Sequence, residues 1–72
     1  MTLDEFANMA CANLPEGWEI GLVLRGGEFD LVLTHHCEEI ELEAYCSVDD
    51  SLLCRAIKAV DYAIRSAENE NL

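Results

Sequence analysis

In the stretch HHCEEIELEAYCS, residues 35–47, Glu39, Glu41 and Glu43 stand at every second position. Ile40, Leu42, Ala44 and Cys46 fill the places between and after them. Alternation of this kind marks a strand with one apolar face and one wetted face. From Gly26 through Cys54 there is no Lys or Arg, while the same interval carries Glu28, Asp30, Glu38, Glu39, Glu41, Glu43, Asp49 and Asp50. A row of uncompensated carboxylates can do two things. It can guard an exposed edge strand against edge-to-edge pairing, or it can attract a cationic surface. Alternate strand positions lie about 6.6–6.8 Å apart, commensurate with two steps of about 3.4 Å along one strand of a DNA duplex. The row therefore reads as an imitation of a polyanion. Asp30, Glu28 and Glu19 would lie beside the three glutamates, with Tyr45 as an aromatic anchor.

Other chemistry is thinner. Four cysteines, Cys11, Cys37, Cys46 and Cys54, raise a disulfide or a zinc reading. No C-x-x-C pair exists, and structural zinc sites usually carry that spacing. His35, His36 and Cys37 could join Cys46 as ligands, but adjacent strand residues point to opposite faces. The expectation is small buried or half-buried thiols, with no metal and no cofactor. His35 and His36 read as loop residues. No G-x-S-x-G, Walker or H-E-x-x-H motif occurs. Exposed glutamates such as Glu41 and Glu43 lack the burial that separates an acid from a base. The chain is not expected to be an enzyme.

Stepping from these residues to what must hold them, 72 residues make one domain, and 51% hydrophobic content allows one small core. Thr2 and Glu5 form a capping box ahead of Leu3, Phe6, Ala7, Ala10 and Leu14, which recur at helical spacing. A helix is expected over about 3–13, ended by Pro15 and Gly17. WEIGLVLR, 18–25, and EFDLVLTH, 28–35, alternate around Gly26-Gly27, a two-residue hairpin signal. That turn pairs Arg25 with Glu28, Leu24 with Phe29, Leu22 with Leu31 and Ile20 with Leu33, so apolar residues meet on one face. The third strand is expected over about 39–46. His35 can oppose Glu38 across a two-residue turn, or Ile40 across a four-residue loop, 36–39; the second is preferred because His36 and Cys37 are poor turn residues. A second helix over about 50–67 follows, capped by Ser47 and Asp50 or by Asp49 or Asp50, with Leu52, Leu53, Ala56, Ile57, Val60, Ala63, Ile64 and Ala67 on one face. Residues 68–72 read as a frayed tail. The fold class is α+β, α-β-β-β-α, a three-stranded antiparallel meander with both helices on one face. The other sheet face is left to solvent.

Fifteen acids against four bases give a net charge of -11. Solubility alone is one reading of that excess, but solubility is better served by mixed signs, and here the bases Arg55, Lys58 and Arg65 are segregated on the second helix. Nucleic acid and anionic membrane are poor direct partners; a basic protein surface is a good one. No apolar run approaches a membrane span, and MTLDEFANMA lacks the basic start of a signal peptide. The expected compartment is the cytoplasm.

The acidity, the short chain, the capped first helix, the meander and the closing helix together resemble the small phage-encoded anti-CRISPR proteins. The resemblance is one of type, spans nearly the whole chain and rests on no diagnostic motif. It implies a DNA mimic that occupies the DNA-binding cleft of a CRISPR effector complex in a bacterial host cell, and it transfers no residue roles. The alternative is a small assembly module, a homodimer formed through strand three or the helix surface.

Overall fold

The computed structural model describes residues 1–70. Helix α1 spans Leu3–Asn13. Its capping box is formed as expected: the Glu5 N–H donates to Thr2 Oγ1 at 3.1 Å, and the Thr2 N–H donates to Glu5 Oε1 at 3.2 Å. Asp4 and Glu5 lie at the positive end of the helix dipole. The Leu14 N–H closes the last turn on the Ala10 carbonyl at 2.8 Å, and Leu14 itself is extended, as a residue before proline must be.

Strands β1, Trp18–Arg25, and β2, Glu28–His35, form the hairpin in the expected register, from Trp18 opposite His35 to Arg25 opposite Glu28. Only Gly27 of the turn takes a positive φ, +86°. Strand β3 is Glu38–Ile40, and the antiparallel sheet runs β1-β2-β3. With the closing helix α2, Leu52–Glu70, the architecture is α-β-β-β-α, of the α+β class.

Two expectations about the third strand are corrected. His35 opposes Glu38, not Ile40, across a two-residue turn at His36 and Cys37. Both turn residues adopt positive φ, 49° and 70°, the backbone that a type I′ turn demands. The strand also ends at Ile40 instead of running to 46; Leu42–Ala44 is a 3₁₀ turn. Had pairing continued in this register, Glu43 would have stood opposite Asp30, with Glu39 and Glu41 on the same face. Like charges directly opposite destabilise a sheet. By leaving the sheet the chain avoids that repulsion, and it carries Leu42, Tyr45 and Cys46 back toward the helix side, all half-buried.

Helix α2 starts later and ends later than its pattern suggested. Ser51 caps it, its Oγ accepting from the Cys54 N–H at 3.2 Å. Ser47, Asp49 and Asp50 build the preceding loop instead: the Ser47 N–H donates to Asp50 Oδ2 and the Asp49 N–H to Ser47 Oγ. Helix continues through 68–70, where fraying was expected; residues 71 and 72 lie outside the described ones. The buried face of α2 is Ala56, Ala59, Val60 and Ala63, whereas Leu53 and Ile57 remain exposed. Alanines at the contact let the helix lie close to Leu31, Leu33 and Trp18. Leu33 is fully buried, which is worth roughly 1.5–3 kcal/mol for a leucine. Phe6 and Leu14 of the α1 region pack on the same cluster, so both helices cover one sheet face.

Candidate acidic interface

The sheet positions two of the acids directly. Glu19 pairs with Thr34, and Thr34 with Glu39, so the two glutamates flank Thr34 in one row on the uncovered face. Two strand spacings separate their backbones, about 9.4–9.8 Å. Glu38 lies at the same end, opposite His35. Glu16 precedes Gly17, whose carbonyl accepts from the His36 N–H at 2.9 Å, which places Glu16 at that end as well. Glu41 follows β3 as the extended cap of the 3₁₀ turn, and Glu43 lies within that turn. All six side chains are exposed, and among the described residues none joins an ion pair.

The expected row of three on one strand is thus broken after Glu39. Glu39 keeps its place on the open face; Glu41 and Glu43 do not share it, and the regular repeat that would match DNA steps is absent. Asp30 and Glu28 do lie on the open face, but at the opposite, hairpin end. There Arg25 Nη1 meets Asp30 Oδ2 at 2.7 Å and Glu28 Oε1 at 3.6 Å, so these two acids are compensated. Tyr45, expected to stand out on the acidic face, is half-buried. Its ring lies 6.0 Å from that of Tyr62 and packs against the core. Burial, the Cys46 thiol and the Glu39 carboxylate hold its hydroxyl pKa above the ordinary value, against a smaller opposite pull from Arg55.

Sequence reasoning missed Glu16 and Glu38. Glu38 would have followed from the two-residue turn, the register that was set aside. Glu16 carries no periodic signal, because it sits in the connection between α1 and β1.

The four bases are each engaged. Arg25 holds Asp30 and Glu28. Lys58 Nζ meets Asp50 Oδ2 at 2.9 Å, and Arg65 Nε meets Asp61 Oδ2 at 3.0 Å. Arg55 donates to the carbonyls of Asp50, at 3.0 Å, and Val48, and lies 5.7 Å from the Phe29 ring centre. The Lys58 contact, followed by the Ser47 N–H, holds the Asp50 carboxyl below the usual range, and the same contact raises the Lys58 ammonium.

No family model, curated protein or solved structure matches the chain. Among the described residues no group of three or more His, Cys, Asp or Glu side chains is placed to hold a metal ion. All four cysteines are free thiols. Cys46 and Cys54 are half-buried, and burial pushes the Cys46 thiol up; Cys11 and Cys37 are exposed, contrary to the expectation of burial. His35 is not a loop residue: it ends β2 and stacks on Trp18, with ring centres 4.2 Å apart and planes 8° from parallel. No described helix is long and apolar enough to cross a membrane.

Proposed function

We propose that the chain is a non-enzymatic inhibitor whose acidic end occupies a basic nucleic-acid-binding site, as a DNA mimic. One observation carries this reading. Glu16, Glu19, Glu38 and Glu39 gather at one end and Glu41 and Glu43 follow directly after β3; among the described residues none of the six joins an ion pair, and the four bases make their contacts elsewhere in the molecule. Such an end repels nucleic acid and attracts a groove lined with Arg and Lys. Its binding depends on displaced counterions, so it weakens steeply with salt, as DNA binding does. The likeness to anti-CRISPR proteins makes a CRISPR effector complex the first partner to test, with the bacterial cytoplasm as the setting.

The test is competition. The purified chain is titrated into a purified effector complex bound to labelled duplex DNA, at low and at high salt. The expected result is displacement of DNA at low salt, lost at high salt, and abolished by Glu39→Lys combined with Glu41→Lys and Glu43→Lys in a variant that still folds. Displacement that survives the triple reversal would remove the acidic end from the mechanism. No displacement from any nucleic-acid-binding complex tried would reject the reading itself.

A further inference from the structure

Strand β1 forms one edge of the sheet along its full length of eight residues. The pair that closes a two-residue turn, Arg25 and Glu28, is hydrogen-bonded, and bonded pairs alternate from there. Val23, Gly21 and Glu19 therefore turn their backbone groups toward β2. Two further bonds fix the same phase: the His36 N–H donates to the Gly17 carbonyl, and the Trp18 N–H turns away to the Pro15 carbonyl at 3.2 Å. Ile20, Leu22 and Leu24 direct their N–H and C=O groups outward, where no described residue receives them.

Natural sheets blunt such an edge with Lys, Pro, a bulge, a short strand or a cover. The β3 edge follows that rule, being three residues long and acidic. The β1 edge does not. It has no Pro and no Lys, its charges Glu19 and Arg25 stand only near its two ends, and Leu22, Val23 and Leu24 between them are 40%, 38% and 70% exposed. On the inner side it borders an open apolar groove of about 420 Å³ between the sheet and the two helices, lined among others by Phe6, Leu14, Ile20, Leu22 and Leu53.

We propose that two copies of the chain associate by antiparallel pairing of their β1 edges about a twofold axis at Leu22. In that register Leu22 meets Leu22 of the second copy, and its outward backbone groups bond reciprocally. Ile20 meets Leu24 of the second copy on the inner face, at the groove. Gly21 meets Val23, and Glu19 meets Arg25, on the open face. The charge match singles out this register. Centring on Gly21 sets Glu19 against Val23, and centring on Val23 sets Arg25 against Gly21. Arg25 has capacity for the contact, because both its ion pairs within the chain use Nη1 alone. The product is a continuous six-stranded sheet in which β3 forms both edges and the two acidic ends lie at opposite strand ends.

This association shares Glu19 with the acidic end but not Glu16, Glu38 or Glu39, and it responds to salt in the opposite sense. Each copy carries a net charge of -11, so screening favours two copies meeting, while it disfavours docking of the acidic end on a basic groove.

The experiment is size-exclusion chromatography with light scattering over a range of protein and salt concentrations. Wild type should show a species of twice 8.0 kDa that grows with concentration and with salt. Leu24→Lys alters a side chain largely exposed in the single chain, and Glu19→Lys sets like charges against Arg25. Each should weaken the dimer more than tenfold while circular dichroism stays unchanged. A wild-type monomer at every concentration overturns the proposal, and so does a dimer that either variant leaves at wild-type strength.

Discussion

Gly17 lies directly against the imidazole of His36: a Cβ at Gly17 would stand 2.6 Å from His36 Cε1. Gly17 also takes φ +89°, the left-handed region. The two facts carry different costs. Left-handed backbone costs a residue with a Cβ about 1–2 kcal/mol. The close approach costs less, since the imidazole is the end of an exposed side chain and can swing away, but doing so ends its tilted contact with the His35 ring, whose centre is 4.3 Å away. Gly17→Ala should lower stability by about 1–2 kcal/mol in urea unfolding, with most of the loss retained in a His36→Ala background. If His36→Ala restores full stability, sterics and not backbone conformation govern this corner.

The neighbouring turn is strained in the opposite way. Cys37 sits at φ 70° with an exposed, free thiol. Glycine there relieves roughly 1–2 kcal/mol of native strain against a loss of a few tenths to about 1 kcal/mol from a freer unfolded chain. Cys37→Gly should raise the thermal midpoint. A lowered midpoint would mean that the thiol makes a contact of its own.

The hairpin and the first helix were legible because independent signals agreed there: a capping box with helical periodicity, and a Gly-Gly turn with matching apolar partners across it. The third strand was legible only to Ile40. The alternation E-I-E-L-E-A fits a strand, yet Leu42, Tyr45 and Cys46 also stand at i, i+3 and i+4, the spacing of a helical turn. Local pattern could not decide between them; a continued strand would have set Glu43 opposite Asp30, 13 positions away in the chain, and like charges opposite each other disfavour that pairing. The turn at His36-Cys37 was masked for a similar reason, since strand pairing and the packing of His35 on Trp18 impose a backbone those residues disfavour on their own. For the acidic end, composition gave the charge, while only the true register brought Glu38 and Glu16 beside Glu19 and Glu39.

Asp50 ties the loop before α2 to Lys58 on that helix. Its folded pKa is lowered, so its contribution to stability is present above the unfolded carboxylate pKa and is lost as pH falls through the folded one. Lys58, with its pKa raised, contributes below the ordinary lysine pKa and loses that contribution as pH rises through the folded value. Asp50→Ala should therefore be less stable than wild type at neutral pH, and the two should converge in strong acid. A gap that persists after the carboxylate is protonated would place the effect in the neutral contact with the Ser47 N–H.

Helix α2 gains its start from Ser51, whose Oγ accepts from the Cys54 N–H. Replacing such a cap with alanine typically costs about 1 kcal/mol. Ser51→Ala should lose roughly that amount, whereas Ser47→Ala, which alters only the loop, should lose less. Equal losses would show that the loop and the cap hold the helix as a unit.

Glu19 and Glu39 flank Thr34 on the open face, two like charges with no base beside them. At about 10 Å in a water-like dielectric such a pair repels by roughly 0.4 kcal/mol, and salt near the physiological level, with a screening length of about 8 Å, removes most of it. Glu39→Lys turns this repulsion into attraction, so it should stabilise the fold by roughly 0.5–1 kcal/mol at low salt. The same change should weaken docking on a basic groove. A variant that folds better and binds worse is what a surface kept for recognition predicts. If the acids served only to guard the β3 edge, Glu39→Lys would keep that edge charged and leave partner binding untouched. Unfolding and DNA-competition measurements on this one variant therefore separate the two roles, and unchanged competition at low salt would assign Glu39 to edge protection.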